Sequence, residues 1–503
     1  MQVRSTAHRQ SNGLIPAVIS ERYRMRGCPF VFVLALALVA TPATQNLAAQ
    51  ASGSLPRNQN QQAALEIYKE LVEINTADTV GSVTRASGAM AARFRAAGFP
   101  DGDIHVVGPQ EAPDKFNLVV RYRGKGIGKP VLLLAHLDVV QAYPQDWTRD
   151  PFTFLEENGY FMGRGVADDK AMASIFVANM IRDKREGWVP DHDIILALTA
   201  AEEGGDHNGV TWLIENRPEL IDAEYAINEG GSGTLQGDSP LFQSVQAAEK
   251  VYEDFTFTVH NPGGHSSVPR ADNAIYTLAQ ALLKVQQYTF PVELNRITRA
   301  FFEQTSRVES PTMAAAMRAL AASPNDAEAA RTISADPRYA ATLRTTCVAT
   351  TLRAGHALNA LPQTATANIN CRIVPTSSAS QVAAILERLV ADSSVHITHE
   401  RADRDDGPPT PVHPVLLRAT ESLTRKMFGD IPVIPTMSTG ATDGYRLRQA
   451  GIPTYGVSGI FSSPGETNAH GLNEKLRVKS YFDGLQFLHE LVREVAGPAR
   501  PVP

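Results

Sequence analysis

The sequence lacks the features by which several classes of protein are recognised. Its 503 residues contain no run of lysine or arginine, and the formal net charge is −6. Nucleic-acid binding relies on clustered basic side chains, so charge gives no reason to expect a nucleic-acid partner. Internal repeats and low-complexity tracts are also missing. The composition, 43% hydrophobic and 20% charged, is that of an ordinary soluble globular protein.

A hydrophobic run long enough to cross a membrane is missing as well. The N-terminal apolar stretch "PFVFVLALALVA" (29–40) has roughly a dozen residues, whereas a spanning helix needs about 20. Arginines precede it and "AQA" (49–51) follows, as in a secretory signal peptide with its cleavage site. We therefore expect residues 1–51 to be a signal peptide region of an exported protein, periplasmic or secreted, with no stable membrane span after cleavage. Met1 and Met25 are both candidate starts, and a disordered tail is the alternative.

Cysteine is scarce, with three residues in the chain. Cys28 precedes the apolar run, so cleavage would leave Cys347 and Cys371. These two lie in the alternating segments "TTCVATTLRAG" and "ATANINCRIVP". An antiparallel hairpin would bring them close together, and an oxidising compartment would favour their pairing. Both a disulfide and two free thiols stay open at this point.

Apolar strand-like runs alternate with helical stretches over most of the chain. Examples are "FNLVVRY", "VLLLAHLD", "DIILALTA", "YAIN", "VIPTMST" and "TYGVSG". This alternation predicts an α/β catalytic domain with a mainly parallel sheet covered by helices, formed by residues 52–246 and 405–503. Between residues 247 and 404 the order becomes β-α-β-β-α-β, which predicts an inserted, smaller α+β ferredoxin-like domain. An Ala-rich helical stretch, Pro291 to Arg344, interrupts it.

Histidines and carboxylates recur where the apolar strands end. They are His136 and Asp138, Glu202 and Glu203, Glu229, and His470 in a loop after the last strand. In open parallel sheets, ligands bind outside the carboxyl ends of the strands. Several carboxylates in one crevice would repel each other unless cations neutralised them. Imidazole and carboxylate without thiolate are typical of a paired Zn²⁺ site, with Co²⁺ or Mn²⁺ as substitutes.

Each of these residues also has an ordinary explanation. Asp168 and Asp169, for example, would suit the N-terminus of the helix that starts near Lys170. A histidine at the end of a strand is usually a surface or capping residue, and a Glu-Glu pair is usually solvated. The metal hypothesis therefore depends on the recurrence of the pattern at several strand ends.

A series of spaced motifs resembles one family of clan MH di-zinc metallopeptidases. In chain order they are "HLDVV", "WTRDPFTFLEENGYFMGRGVADDK", "AAEEGG", "NEGG", "NPGGHSSVP", "NALPQTATANINCRIVP", "STGATDG" and "NAHGLNE". The family includes carboxypeptidase G, aminoacylase, acetylornithine deacetylase, succinyl-diaminopimelate desuccinylase and the carnosine-type dipeptidases. The resemblance extends from about residue 60 to the C-terminal helix.

The resemblance implies two Zn²⁺ ions held by five ligands. These are His136, Asp168, Glu203, Glu229 and His470. Asp168 would bridge the two metals, with His136 and Glu229 on one and the remaining two ligands on the other. Asp138 would hold the His136 ring through its second nitrogen.

The resemblance also implies roles for residues that touch the substrate. Glu202 would be the general base, taking a proton from water held between the metals and passing it to the leaving amine. His265 would donate to the oxyanion of the tetrahedral intermediate. Asn359 and Arg372 would bind the carboxylate of the substrate, and the backbone at Gly440 would lie beside that carboxylate.

These observations predict a zinc-dependent hydrolase of the carboxypeptidase or dipeptidase type. It would cleave a peptide or N-acyl amide bond next to a free carboxylate. An N-acyl-amino-acid deacylase of the aminoacylase type is the close alternative. A paired-metal phosphoesterase and a non-catalytic binding protein on the same fold are remote ones. We find no basic cluster that would hold phosphate, and the base and all five ligands are present.

Resemblance to dimeric relatives implies a homodimer through the inserted domain, in which His265 completes the active site of the neighbouring subunit. The stretch from Pro291 to Arg344 leaves a monomer as the alternative.

Overall fold

The structure is a computed structural model that describes residues 56–399 and 409–498. The predicted signal peptide region and the predicted domain boundary at residue 404 lie outside the described residues. Within the described part of the chain, we find no helix that is both long and apolar enough to cross a membrane.

Helices cover much of the described chain. They are α1 (Gln59–Glu73), α2 (Val83–Ala96), α3 (Lys170–Arg185), α4 (Gly209–Asn216), α5 (Ala274–Gln287), α6 (Arg296–Thr305), α7 (Pro311–Ala322), α8 (Ala327–Ser334), α9 (Pro337–Leu343), α10 (Ala379–Val390), α11 (Pro414–Phe428), α12 (Gly444–Gln449) and α13 (Val478–Ala496).

Strands form one large sheet and several smaller ones. They are β1 (Ile104–Val107), β2 (Asn117–Tyr122), β3 (Val131–His136), β4 (Leu155–Glu157), β5 (Tyr160–Met162), β6 (Ile194–Thr199), β7 (Tyr225–Asn228), β8 (Gly233–Gln236), β9 (Ser239–Glu249), β10 (Val251–His260), β11 (Gly264–His265), β12 (Thr346–Ala354), β13 (Ala360–Leu361), β14 (Thr364–Ile373), β15 (Val395–His399), β16 (Val433–Ser438), β17 (Thr454–Gly456), β18 (Phe461–Ser462) and β19 (Lys475–Arg477).

The main sheet has the order β1-β2-β6-β3-β7-β17-β9-β8-β18, with β16 paired to β9. Its centre, β6-β3-β7-β17, is parallel. The flanking pairings of β2 with β6 and of β17 with β9 are antiparallel. The prediction of an α/β fold with a mainly parallel sheet is therefore confirmed.

Both faces of β3 are covered, which explains its unbroken apolar sequence. Leu133 packs in the core formed with α1, α3 and α13, where Tyr68 stacks on Tyr481 with ring centroids 4.5 Å apart. Leu132 and Leu134 face the opposite way and pack with residues of α4 and α12. Strands buried on both faces read as continuous hydrophobic runs, and the polar residues of β3 are left at its carboxyl end.

A second, antiparallel sheet follows where the chain leaves β9 and enters β10. Its strand order is β12-β14-β10-β15, and we call it the lid sheet. Helices α5 and α10 cover one of its faces, which is the predicted ferredoxin-like arrangement. Cys347 and Cys371 are directly paired across β12 and β14 and form a disulfide, so the alternative of two free thiols is wrong for this structure.

The Ala-rich stretch is helical and forms α6 to α9. These helices have a small core of their own, which includes Phe302, Met317 and Leu320. Ile297 of α6 is buried in the core of the main sheet instead. The stretch therefore packs against the catalytic part of the molecule while it belongs, in sequence, to the inserted domain.

Candidate metal centre

The structure brings all five predicted metal ligands to one edge of the main sheet. They are His136 at the end of β3, Glu203 after β6, Glu229 after β7, Asp168 in the loop before α3, and His470 in the loop before β19. Parallel neighbouring strands end at the same edge, so three separate sequence segments converge without any special loop.

The carboxylate of Asp168 lies between the two histidines. Its Oδ1 is 3.0 Å from Nε2 of His136, and its Oδ2 is 3.1 Å from Nε2 of His470. Oε2 of Glu203 is 2.9 Å from the same nitrogen of His470. Oε1 of Glu229 is 3.8 Å from Nε2 of His136. Two ligands of one tetrahedral Zn²⁺ ion, each about 2.1 Å from the metal, lie about 3.3 Å apart, so these separations suit a shared cation on each side of Asp168.

The ring of His136 is oriented by a main-chain carbonyl. Its Nδ1 is 3.0 Å from the carbonyl oxygen of Asp138. A carbonyl oxygen only accepts, so Nδ1 carries the proton and donates it. The lone pair of Nε2 then points at the carboxylates of Asp168 and Glu229, an arrangement that needs a positive charge between them. Either a second proton or a metal cation on Nε2 would supply that charge.

The carboxylate of Asp138 organises the loop that carries the two neighbouring glutamates. Its oxygens accept the backbone N–H groups of Glu202 at 3.1 Å and Glu203 at 3.0 Å. The nearest carboxylate oxygen lies 3.7 Å from Nδ1 of His136, beyond hydrogen-bond distance. Asp138 therefore contacts the ring through its main chain and the glutamate loop through its side chain. Carboxylate oxygens of Glu202 and Glu229 lie within 4.8 Å of the His136 ring and of each other.

The carboxyl groups of the centre are buried close together. Burial and the neighbouring charged groups shift their pKa values. Burial raises the pKa of Glu202 to about 9. Burial and the charge of Asp168 raise the pKa of Glu229 well above its ordinary value. Burial opposes ionisation of Asp168 too, but hydrogen bonds with His136 and His470 lower its pKa. Divalent cations beside these groups would favour the charged form of every carboxylate.

The neighbouring carboxylates raise the pKa values of both histidines. Hydrogen bonds with Asp168 and Glu203 raise the pKa of His470 to about 10. Burial would lower the pKa of His136, but the hydrogen bond with Asp168 and the charge of Glu229 raise it well above the usual value. Both rings therefore lie in a strongly negative environment that attracts cations.

Three of the residues predicted to touch the substrate, Arg372, Asn359 and His265, lie at the two ends of the lid sheet. β10 and β14 pair over ten residues, from Val251 and Ile373 at one end to His260 and Thr364 at the other. That length corresponds to about 30 Å. Arg372 lies at the end where the chain enters the lid, next to the main sheet. β11 and β13, which carry His265 and adjoin Asn359, lie beyond the opposite end.

The structure thus brings His265 and Asn359 together, but at the far end of the lid sheet from Arg372. The amide of Ser266 donates to the carbonyl oxygen of Asn359 at 3.0 Å. His265 is exposed, and its Nδ1 accepts from Ser267. Gly440 lies after β16, where its amide donates to Oγ of Ser438 at 3.0 Å.

Comparison with known proteins identifies the family. Residues 132–494 match the family described as Peptidase family M20/M25/M40, which is well over half of the chain. The chain belongs to Peptidase family M20/M25/M40. The predicted resemblance is therefore confirmed, and this M20 member is an enzyme, a hydrolase of the peptidase and amidohydrolase type.

Individual relatives of this M20 protein have two kinds of name. The "N-fatty-acyl-amino acid synthase/hydrolase PM20D1" of Xenopus tropicalis is 28% identical over 374 residues, 72% of each chain. The "Probable carboxypeptidase S-like 2" of Dictyostelium discoideum is 28% identical over 396 residues, 75% of each chain.

Solved structures share the fold. The M20 family metallo-carboxypeptidase Sso-CP2 of Sulfolobus solfataricus has a TM-score of 0.65 at 17% identity and covers 86% of this chain and 98% of its own. Human carnosine dipeptidase 1 has a TM-score of 0.62 at 16% identity, covering 87% of this chain and 96% of its own.

Sequence reasoning missed one residue that organises the centre, Glu474. This buried carboxylate accepts the backbone N–H groups of Gly165, Ala167 and Asp168 at 2.9, 2.7 and 3.1 Å. It also accepts from Arg164 at 2.7 Å. Glu474 follows His470 by four residues, so it fastens the loop of Asp168 to the loop of His470. The motif "NAHGLNE" contains it, but its partners are backbone groups that no pattern of side chains reveals.

Proposed function

We propose that this M20 protein binds two Zn²⁺ ions and hydrolyses a peptide or N-acyl amide bond next to a free carboxylate, as a carboxypeptidase or dipeptidase. The observation that carries the proposal is the position of Asp168 between His136 and His470, with one carboxylate oxygen on each ring nitrogen. Glu203 and Glu229 complete the donor set on the two sides. Imidazole and carboxylate donors without thiolate suit Zn²⁺, with Co²⁺ or Mn²⁺ as substitutes.

Two divalent cations would supply a polarised carbonyl and an acidified water at neutral pH. The protein's own part is proton transfer and positioning. Glu202, whose backbone N–H donates to Asp138, would take the proton of the attacking water and deliver it to the nitrogen of the leaving amine. Arg372 and Asn359 would hold the free carboxylate of the substrate, beside the backbone at Gly440. His265 would donate to the oxyanion.

Deacylation of N-acyl amino acids is the second candidate. The printed names of relatives include an N-fatty-acyl-amino acid synthase/hydrolase as well as carboxypeptidase S-like proteins. Both classes of substrate have an amide next to a free carboxylate, so the same site serves either. A non-catalytic binding protein would be expected to have lost the base or a ligand, and Glu202 and the five ligand residues are all present.

A panel of dipeptides and N-acyl amino acids, profiled by mass spectrometry with zinc-loaded protein, tests the proposal. We expect hydrolysis of one class or both, abolished by dialysis against a chelator and restored by Zn²⁺ or Co²⁺. Phosphate esters are the negative control. Unchanged turnover by fully metal-stripped protein would contradict the metal mechanism.

We further propose that the protein works as a homodimer in which His265 and Asn359 serve the site of the partner subunit. The length of the lid sheet, about 30 Å between Arg372 and the end that carries His265, supports this. The outer strand of the lid sheet, β12, exposes Val348 and Leu352, as a strand that pairs with another copy would.

Export from the cytoplasm belongs to the same proposal. The disulfide between Cys347 and Cys371 suits an oxidising compartment, in line with the signal peptide pattern of residues 1–51. Protein recovered from its native host should begin between Gln50 and Ser52, which N-terminal sequencing would establish. A cytosolic protein that starts at Met1 or Met25 would refute export.

A further inference from the structure

Three basic side chains meet where the chain enters the lid sheet. Lys250 joins β9 to β10, Arg372 is near the end of β14, and Arg344 lies two residues before β12. Thr346 and Arg372 are directly paired across the strands, and Nζ of Lys250 lies 3.3 Å from Oγ1 of Thr346. Cys371 and Val251, their neighbours in sequence, are buried against α5 and α10. Alternation along the strands therefore turns Lys250 and Arg372 to the opposite face, away from α5 and α10.

No ion pair joins Lys250 or Arg344 to a carboxylate in the part of the chain that the structure describes. Arg372 differs, because its Nε donates to Oδ1 of Asn370 at 3.3 Å and it lies close enough to Asp254 for their charges to interact. Lys250 is 1% exposed, and the hydroxyl of Thr346 is the hydrogen-bond partner of its side chain. Nε of Arg344 is buried without a hydrogen-bond partner. Arg372 lies over the ring of Tyr252, 4.6 Å from its centroid. Burial together with Arg372 and Arg344 lowers the pKa of Lys250 to about 7. A buried ammonium without counter-charge is costly, so the burial of Lys250 beside two guanidinium groups favours an anionic ligand that would restore its charged form.

This cluster adjoins the metal centre through a short series of contacts. The amide of Lys250 donates to the carbonyl oxygen of Ser438 at 2.9 Å, in the loop that leads to Gly440. The side chain of Glu249 points the other way and accepts from Thr442. Oγ1 of Thr442 in turn accepts from Asn228 at 3.2 Å, and Asn228 precedes the ligand Glu229. The loop of Gly440 therefore connects the cluster with the strand end that precedes Glu229.

We propose that Lys250, Arg344 and Arg372 form one subsite for a leaving amino acid with two carboxylates, such as glutamate or aspartate. The inference rests on the proposed hydrolysis, which requires one free carboxylate beside the scissile amide. One carboxylate pairs well with one guanidinium. The remaining cations match a second carboxylate, and an acidic side chain is the group that brings it into the same subsite. Lys250 and Arg344 then set specificity, while Arg372 serves every substrate.

The kinetic test compares N-acyl-glutamate with N-acyl-glutamine, which have the same shape and acyl group and differ by one charge. We expect kcat/KM to be at least about tenfold higher for the glutamate substrate, because the neutral amide leaves a buried cation without its partner. Lys250→Met and Arg344→Gln should each bring the ratio of the two kcat/KM values toward one. Lys250→Arg should keep the preference. Arg388→Met, an exposed cation on the helix side of the lid, is the matched control and should leave the ratio unchanged.

A binding measurement tests the subsite without requiring that any substrate is hydrolysed. Calorimetric titration of the metal-loaded wild-type protein should show L-glutamate binding at least about tenfold more tightly than L-glutamine. Circular dichroism shows whether each variant is folded, and if a variant fails to fold, the wild-type comparison decides alone. Equal binding of the two amino acids, or equal kcat/KM for the two substrates, overturns the dicarboxylate subsite while the proposed hydrolysis stands. Preferential binding of glutamate without cleavage of any amide supports the subsite and refutes the hydrolysis.

Discussion

Glu202 and Glu203 are neighbours in sequence, yet their side chains meet different groups. The carboxylate of Glu203 contacts Nε2 of His470, whereas that of Glu202 lies near His136 and Glu229. We expect Glu202→Gln to keep its metal content and to lower kcat by about 10²–10⁴, the usual contribution of a general base. Glu203→Gln should lose metal instead. Metal analysis of the two purified variants beside their kcat values makes the comparison.

The matched control at this scale is Glu215→Gln, an exposed glutamate on α4. It removes the same charge away from the centre and should change neither metal content nor kcat. If Glu202→Gln alone sheds zinc, the two roles have been assigned the wrong way round.

At the scale of elements, the loop of Asp168 and the loop of His470 form one unit because Glu474 binds both. Glu474→Gln replaces an acceptor oxygen by an amide N–H₂ group that faces the backbone donors of Gly165, Ala167 and Asp168. We expect metal affinity to fall by about 10–100-fold, as when outer partners of metal ligands are lost. The midpoint of thermal unfolding should also fall, because the change leaves buried donors unpaired.

Titration of metal-stripped Glu474→Gln with Zn²⁺ and thermal unfolding measure these two effects. The exposed Glu219 offers the control substitution Glu219→Gln. Wild-type zinc affinity in Glu474→Gln would show that the two loops hold their positions without this carboxylate.

The disulfide between Cys347 and Cys371 fastens the outer strand β12 to β14. Cys347→Ser with Cys371→Ser should lower the free energy of unfolding by about 2–4 kcal/mol. Substrate affinity should weaken as well, because the paired residues Thr346 and Arg372 adjoin the bond. Denaturant unfolding of the double variant and KM for an N-acyl amino acid test this. Peptide mapping that finds both thiols free in exported protein would contradict the pairing.

Most elements of the main sheet were predictable from sequence because burial on both faces makes their strands continuously apolar. β3 and β6 are examples. The long strand β9 was not predicted, since its buried residues include Gln243, Ser244 and Gln246. Hydrogen bonds satisfy some of these side chains: the amide of Gln243 donates to the carbonyl oxygen of Ser244. A pattern of apolar residues does not reveal a strand whose buried residues are polar.

The candidate site also has features that were predictable from sequence and features that were not. Ligands at strand ends were predictable, because topology alone brings such positions to one edge. The contacts of Glu474 with backbone amides were not, and neither was the meeting of Lys250 with Arg344 across the lid sheet. Both depend on which distant segments become neighbours, and neither leaves a local pattern.

At the scale of the whole molecule, the lid sheet separates residues that the proposed reaction needs at one place. Arg372 lies beside the main sheet, whereas His265 and Asn359 lie about 30 Å away at the far end. Packing of α6 against the main sheet, through the buried Ile297, ties the lid to its own catalytic part. A large closing motion that would bring His265 to the metal ligands of the same chain would have to break this packing. A second subunit related by a two-fold axis could supply His265 without such a motion.

Mixing two inactive variants decides between the two arrangements. His265→Ala and Glu202→Gln are each expected to be nearly inactive. After the two are dissociated and reassembled together, a mixed dimer has one site with an intact Glu202 and the intact His265 of the other chain. Random assembly makes about half of the dimers mixed, each with one working site of two, so roughly a quarter of wild-type activity should return. Each variant reassembled alone is the control and should stay inactive. If His265 acts on the metal centre of its own chain, the mixture stays as inactive as its parts, because every chain then lacks either the base or the oxyanion donor.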